Sequence, residues 1–276
     1  MHTLNCKGKL LSLEKPVVMG ILNITPDSFY KGYLQDTEET VLSAAANLAS
    51  NGAAIIDIGG QSTRPGSSIV SANEEVERVL PWIEKLHYHF PDIIISIDTY
   101  YAAVAKASIE AGAHIVNDIS AGNLDEAMIA TVASLRVPYI AMHMQGTPQT
   151  MQGNPRYINV VQEVLDFFIQ KAEECRLAGI HDVIIDPGFG FGKTTAHNFS
   201  LLKNLPVFKM LEKPILTGLS RKGMVYKTLG IDAEHALNGT TVLNTLALNN
   251  GASIIRVHDA REAKEAIDLL EHYNNT

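Results

Sequence analysis

Residues 53–90 read AAIIDIGGQSTRPGSSIVSANEEVERVLPWIEKLHYHF. The run AAIIDIGG (53–60) is almost wholly apolar, which is the pattern of a strand covered on both faces. The segment NEEVERVLPWIEKLHYHF (73–90) instead places its apolar residues three and four apart, the period of a helix with one buried stripe. A polar loop containing Gln61, Ser62, Thr63, Arg64 and Pro65 joins them. A strand buried on both faces and followed by a helix is one unit of a parallel sheet, because parallel neighbours need a long crossover.

The same alternation runs outward in both directions. Strands are expected at 17–24, 53–60, 92–98, 114–120, 138–144, 182–188, 214–220 and 252–259. Helices are expected at 36–52, 73–90, 100–112, 125–136, 160–179, 196–211, 237–251 and 260–273. In the fifth helix Val160, Val164, Phe168 and Ala172 share one face, leaving Glu163, Asp166 and Lys171 for solvent. Gly52, Gly112, Gly179 and Gly251 close four helices, where a left-handed residue is favoured as glycine. Eight units with no break in composition fit one α/β domain spanning residues 1–276, a (β/α)8 TIM barrel. A doubly wound open sheet shares the alternation, but it has fewer strands and a glycine-rich first turn. Residues 1–16 precede the first strand and are expected to form a short cap under the barrel.

Composition narrows the function. The 276 residues are 46% hydrophobic and 19% charged, enough for a large core. A net charge of −8 argues against a general nucleic-acid binder, which needs clustered Lys and Arg. Two cysteines, Cys6 and Cys175, make neither a disulfide framework nor a zinc site. The opening MHTLNCKGKLLSLEKP lacks the apolar centre of a signal peptide, and no apolar run is long enough for a membrane span. A cytoplasmic protein is the expectation.

A barrel enzyme works at the C-terminal ends of its strands, and every expected strand here ends on polar residues. Asn23, Asp57, Asp98, Asn117 with Asp118, His143, Asp186, Ser220 with Arg221 and Lys222, and Arg256 with His258 and Asp259 fall there in turn. Taken singly, each has an ordinary reading. Asp118 and Asp259 suit helix N-caps, Asp57 suits a loop brace, and a histidine between Met142 and Met144 is more often packed than ligating. Taken together, Asp98, Asn117 and Asp186 point to one central pocket, since buried carboxylates without partners are expensive. Arg64, Lys222, Arg256 and His258 concentrate positive charge on the loops around the first strand, which suits an anionic substrate group. Asn23 lies beside them, and its amide oxygen suits Mg²⁺, an ion that keeps waters and substrate phosphates in its shell.

GFGFGKT (188–194) is not a P-loop, because the glycine that motif needs falls on Pro187. Its glycines keep a loop close to the rim, and Phe189 and Phe191 either stack on a flat ligand or pack.

Taken in order, MGILNITPDSFYKGY (19–33), DIGGQSTRPGS (57–67), ISIDTY, IVNDIS, MHMQGTP, DPGFGFGK, GLSRK and IRVHD resemble the motifs of the dihydropteroate synthases over nearly the whole chain. The resemblance implies condensation of (7,8-dihydropterin-6-yl)methyl diphosphate with 4-aminobenzoate, giving dihydropteroate and diphosphate in folate biosynthesis. It implies that Asp98, Asn117 and Asp186 hold the pterin, with Lys222 touching the pterin near the aminobenzoate. It places Thr63, Arg64, Arg256 and His258 on the diphosphate, Asn23 on Mg²⁺, and Ser220 and Pro65 around the aminobenzoate. Phe191 is counted with the substrate-binding residues, and Arg64, Lys222, Arg256 and His258 with the catalytic ones. The chain departs from the family pattern at Tyr30-Lys31-Gly32-Tyr33 after Phe29, and at Gln61, where the family commonly has Glu.

The expected mechanism is loss of diphosphate first, helped by Mg²⁺, Arg64, Arg256 and His258, then attack by the arylamine, with no covalent nucleophile. Three other readings compete, of which a purely structural scaffold leaves so many polar rim residues unexplained. A pterin-dependent methyltransferase has no need of a diphosphate site and calls for a cobalamin partner. A pterin-binding protein without catalysis would make no product. Finally, LNGTTVLNTLALNNG (237–251) holds no charged residue. A helix without a charged face is often covered, so a homodimer through this region is expected.

Overall fold

The computed structural model describes residues 2–24, 38–62 and 69–276. Thr63, Arg64 and Pro65, and the departure at 30–33, lie outside the described residues. The chain opens with an antiparallel hairpin of β1 (Thr3–Cys6) and β2 (Lys9–Ser12). Its two-residue turn has φ 54° at Lys7 and 91° at Gly8, the left-handed pair that matches strand twist.

Eight parallel strands follow: β3 (Val17–Asn23), β4 (Ala53–Gly59), β5 (Ile94–Asp98), β6 (Ile115–Asp118), β7 (Tyr139–Met142), β8 (Val183–Asp186), β9 (Leu216–Thr217) and β10 (Ile254–Val257). They pair in the order β8-β7-β6-β5-β4-β3-β10-β9. A bridge between Ile185 and Ile215, with the Ile185 N–H donating to Pro214 O at 3.0 Å, brings the two edges together. The helices are α1 (Glu38–Ser50), α2 (Ala72–His89), α3 (Ala102–Glu110), α4 (Met128–Leu135), α5 (Val160–Ala178), α6 (Thr195–Lys203), α7 (Gly223–Leu229), α8 (Leu237–Asn249) and α9 (Ala260–Asn274). Among the described residues no helix is long and apolar enough to cross a membrane.

The strands alternate in the way that positions a site. Every barrel strand sends one apolar residue into a shared inner cluster: Met19, Ile55, Ile94, Ile115, Ile140, Ile184, Leu216 and Ile254. Leu4, Cys6 and Leu13 pack onto that cluster, so the N-terminal segment caps the barrel below it, as expected. Each fully buried Ile there contributes roughly 1.5–3 kcal/mol. The intervening residues, such as Ile56, Ile95, Val116 and Ile185, belong to the outer core under the helices. With a period of two, the next inward positions are Ile21, Asp57, Ser96, Asn117, Met142, Asp186, Gly218 and Arg256. One layer further along, the barrel interior changes from wholly apolar to mostly polar.

Several boundaries differ from expectation. The helix expected over 196–211 divides at Asn204, and residues Leu205–Leu211 form a 3-10 turn. Pro206 has no N–H to continue the α-helical ladder. The strand expected over 214–220 is regular only at Leu216–Thr217, and α7 was not anticipated. Lys171 is buried rather than solvated, because 3.6 residues per turn carry the inner face of α5 past Ala172 onto Lys171 and Cys175. Its ammonium reaches Glu174 Oε2 at 2.6 Å and Asn123 Oδ1 at 3.3 Å. Gly179 closes α5 with φ 88°, as anticipated.

Candidate active site

The polar layer converges. Arg256 Nε donates to Asp57 Oδ2 at 2.6 Å, and its Nη2 donates to Asp98 Oδ2 at 2.5 Å. Asn117 Nδ2 donates to the same Asp57 oxygen at 3.1 Å. Strands β4, β5, β6 and β10 therefore meet in one network, and Asp57 is its hub rather than a loop brace. Sequence reasoning left Asp57 out of the site. The signal was present as the lone charge in the apolar run 53–60. Asp57 Oδ1 is buried with no hydrogen-bond partner, an acceptor available to a ligand N–H. Arg256 accordingly sits among the acids, not simply in a shallow cationic arc beside them.

Burial pushes the Asp98 carboxyl up to about 7, with Asp57, Asp118 and Asp186 adding to the rise against the pull of Arg256. Burial alone would lower the Arg256 pKa, but Asp57, Asp98 and Asp186 outweigh it and hold the guanidinium charged. Behind Asp98, Thr99 Oγ1 donates to Glu75 Oε2 at 3.3 Å, and burial followed by the charge of Asp98 pushes Glu75 up to about 8.

On the opposite strands Asp186 accepts the Gly188 N–H at 2.8 Å. Its carboxyl is raised by burial, against Lys222, the Gly188 N–H, Arg256 and Lys193. Lys222 stands 4.5 Å over the ring of Phe191 and donates to the Phe189 carbonyl. Burial lowers it to about 8, although Asp186 and Asp98 oppose that. The two phenylalanines divide the roles left open between them: Phe189 is fully buried in the outer core, while Phe191 is half-buried beneath the Lys222 ammonium.

Ser220 and His258 form a separate pair, with Oγ and Nδ1 3.0 Å apart and the His258 N–H donating to Ser220 Oγ at 3.2 Å. His258 is exposed at the end of β10. Asp259 makes no side-chain cap to α9; it pairs instead with Arg221 at 2.9 and 2.8 Å, tying the loops after β9 and β10 together. Asp118 is no helix cap either. It receives the Ser120 and Gly122 N–H groups, the Ser120 hydroxyl and the Tyr139 hydroxyl. His143 is the packed histidine expected, 4.9 Å edge-on from Phe167. Gln61 Oε1 accepts the Val70 N–H at 2.7 Å, joining the two ends of its loop without a carboxylate.

Asn23 ends β3 opposite Gly59. A side chain at Gly59 would stand 3.4 Å from Asn23 Oδ1 and 3.6 Å from Asp98 Cβ, so the glycine keeps this corner of the mouth open. Among the described residues no group of three His, Cys, Asp or Glu could hold a metal ion. A neutral amide oxygen fits Mg²⁺ only when the substrate brings phosphate oxygens of its own.

The fold and the mouth define a barrel enzyme whose pocket sets three carboxylates and an amide against two cations. A model of the pterin binding enzyme family matches residues 19–258. The dihydropteroate synthase of Escherichia coli strain K12 is 44% identical over 270 residues, covering 96% of this chain and 94% of its own length. The Yersinia pestis dihydropteroate synthase, solved in a sulfonamide drug complex, superposes with a TM-score of 0.95 at 41% identity over 100% of both chains. The Xanthomonas albilineans enzyme, solved in complex with 7,8-dihydropteroate, does so with a TM-score of 0.90 at 37% identity, again over 100% of both chains. The chain belongs to the pterin binding enzyme family and, within it, to the dihydropteroate synthases.

Proposed function

We infer that this chain catalyses the dihydropteroate synthase reaction, joining (7,8-dihydropterin-6-yl)methyl diphosphate to 4-aminobenzoate with release of diphosphate. The observation that carries this reading is the network of Asp57, Asp98, Asn117 and Arg256 facing Asp186 and Lys222 inside one barrel mouth. The aminopyrimidinone edge of a pterin presents adjacent N–H donors, which match the Asp186 carboxylate. Asn117 and the free oxygen of Asp57 offer further polar contacts deeper in the pocket.

The bond between the pterin methylene carbon and the diphosphate oxygen breaks, and the electron pair leaves with diphosphate. The electron-rich dihydropterin spreads the resulting positive charge, and Asp57, Asp98 and Asp186 stabilise it at short range. Arg256 and Lys222 oppose the rise that burial imposes on the Asp186 carboxyl, and with His258 they suit the leaving anion, to which the family resemblance also assigns Thr63 and Arg64. The amine nitrogen of 4-aminobenzoate then bonds to the carbon and loses its extra proton to solvent. Ser220 and the Lys222–Phe191 pair shape that second pocket, to which the family resemblance also assigns Pro65. Bound at Asn23 and the diphosphate, Mg²⁺ would supply charge neutralisation to the leaving group.

Incubation with both substrates is expected to yield dihydropteroate, and omission of either to abolish it. No product from the paired substrates would overturn the assignment. Chelation of divalent ions is expected to suppress diphosphate release; unchanged release would remove Mg²⁺ and the role of Asn23 while leaving the reaction intact.

The reading extends to a homodimer through α8. Val242 and Leu246 project from that uncharged helix 52% and 47% exposed, beside Leu269 and Tyr273 of α9. A groove of about 370 Å³ runs between the two helices, its lining including Thr241, Thr245, Leu269 and Tyr273 together with the carboxylates of Glu262 and Glu265. Light scattering should give twice the 30.1 kDa chain mass, and Leu246→Glu should halve it; a native mass of one chain would rule the dimer out. A cytoplasmic setting suits Cys6 and Cys175, both free and buried, with burial pushing their thiols up to about 12 and about 11.

A further inference from the structure

We propose that Lys193 is a positioning residue for the pterin pocket, its ammonium knotting the chain after β7 to the loop after β8 so that Asp186, Phe191 and Lys222 are set together. The proposal rests on the reading of this mouth as a pterin site. Lys193 is 3% exposed. Its Nζ lies 2.9 Å from His143 Nδ1, 3.2 Å from His143 O, 3.0 Å from Gly188 O and 3.0 Å from Phe191 O. An ammonium has three protons, and four acceptors already surround this one. No capacity is left for substrate, so Lys193 acts through what it holds.

What it holds is the inner lining of the pocket. Gly188 gives its carbonyl to Lys193 and its N–H to Asp186 Oδ1 at 2.8 Å, so a single glycine residue bridges the ammonium and the carboxylate. Phe191 gives its carbonyl to Lys193 and its ring to the Lys222 ammonium. Phe189, between them, gives its carbonyl to Lys222. Gly188 has φ 70°, and a Cβ there would collide with the His143 carbonyl, so the two loops touch backbone to backbone at the point Lys193 bridges. Removal of the ammonium leaves three carbonyls converging on one point with no proton between them.

A buried ammonium bonded to no carboxylate is an expensive staple. Neutral alternatives already tie the same loop: Gln152 Nε2 donates to Gly190 O at 2.7 Å, Tyr157 Oη to Gly192 O at 3.0 Å, and Asn198 Oδ1 accepts the Gly190 N–H at 2.8 Å. Burial lowers Lys193 to about 7 against the support of Asp186, and its charge in turn opposes the rise of the Asp186 carboxyl. The titratable groups facing Lys193 are His143 from the end of β7, Asp186 from β8 and Lys222 from the loop after β9. Burial lowers His143 to about 3, with Lys193 adding to the fall, so its ring is neutral and Nδ1 accepts.

The test is steady-state kinetics on Lys193→Met, with Gln152→Ala as the comparison. Lys193→Met is expected to raise the KM for the pterin diphosphate at least tenfold and the KM for 4-aminobenzoate, whose pocket the Lys222–Phe191 pair shapes, by a smaller factor. Gln152→Ala should leave both within twofold. Equal rises in both KM values, or a pterin KM that does not move, would reduce Lys193 to a structural staple. Lys193→Gln, which keeps two amide protons without the charge, should show the same selective loss. If neither Lys193 variant folds by circular dichroism, the residue supports the fold rather than the pocket and the proposal is overturned. Absence of turnover by the unsubstituted enzyme would instead strike the reaction assignment.

Discussion

Arg256→Ala is expected to slow diphosphate release by roughly 10²-fold or more, the size of a lost electrostatic donor at a developing charge. The loss has two sources. The leaving anion loses a guanidinium, and Asp57 and Asp98 lose the cation that holds both of them. Asp57 is fully buried and Arg256 only 20% exposed, so breaking the pair is expected to cost about 3–5 kcal/mol of stability as well. The pH dependence of that cost has a definite sign. The Asp98 carboxyl already lies at about 7, above its ordinary range, so its contribution to stability is full at low pH and lost as pH rises through 7. Without Arg256 the carboxyl moves higher still. Urea melts should therefore show a smaller deficit at pH 5 than at pH 8. Adding Asp98→Asn to Arg256→Ala should restore part of the stability at pH 8 and none of the diphosphate release. If the single variant releases diphosphate at the parent rate, Arg256 has no part in the departure of that group.

The sequence made the barrel legible because parallel strands buried on both faces write themselves as apolar runs. Met19, Ile55, Ile94, Ile115, Ile140, Ile184, Leu216 and Ile254 each sit inside such a run, and each run ends on a polar residue that the structure turns inward or toward the rim. Partners across the barrel were not legible. Nothing in the linear order says that Arg256 meets Asp57 or that Lys193 meets the carbonyl of His143, separations of 199 and 50 residues. GFGFGK reads as a loop kept close to the rim, and its lysine carries no periodic signal of burial. The short helix α7 escaped for a related reason, since seven residues give barely two turns over which a period of 3.6 can be recognised. Lys171 was misplaced because a strict spacing of four drifts off the inner face of α5 within three turns.

Asp186→Asn is expected to reduce kcat/KM for the pterin diphosphate by roughly 10²-fold or more, with little loss of stability near neutral pH. A carboxylate accepting from two adjacent N–H groups loses one charged acceptor in the amide and gains a donor that faces a donor, a mismatch of about 3 kcal/mol. For the fold the charge has opposing effects, since it supports the buried Lys222, Lys193 and Arg256 while being costly to bury itself. Burial raises the Asp186 carboxyl, so ionising it opposes folding, and Asn retains an oxygen for the Gly188 N–H. The substitution also acts on Lys222, which burial holds at about 8 and which the charge of Asp186 supports. With that support removed the Lys222 pKa falls further, so the alkaline limb of the pH–rate profile should move to lower pH. Thermal melts, pterin KM and the alkaline limb then separate the roles. A variant that melts like the parent, binds pterin poorly and loses activity at a lower pH has lost recognition and not structure. An unchanged pterin KM would mean that the aminopyrimidinone edge is held elsewhere in the mouth, with Asp57 and its unpaired oxygen the next acceptor to replace.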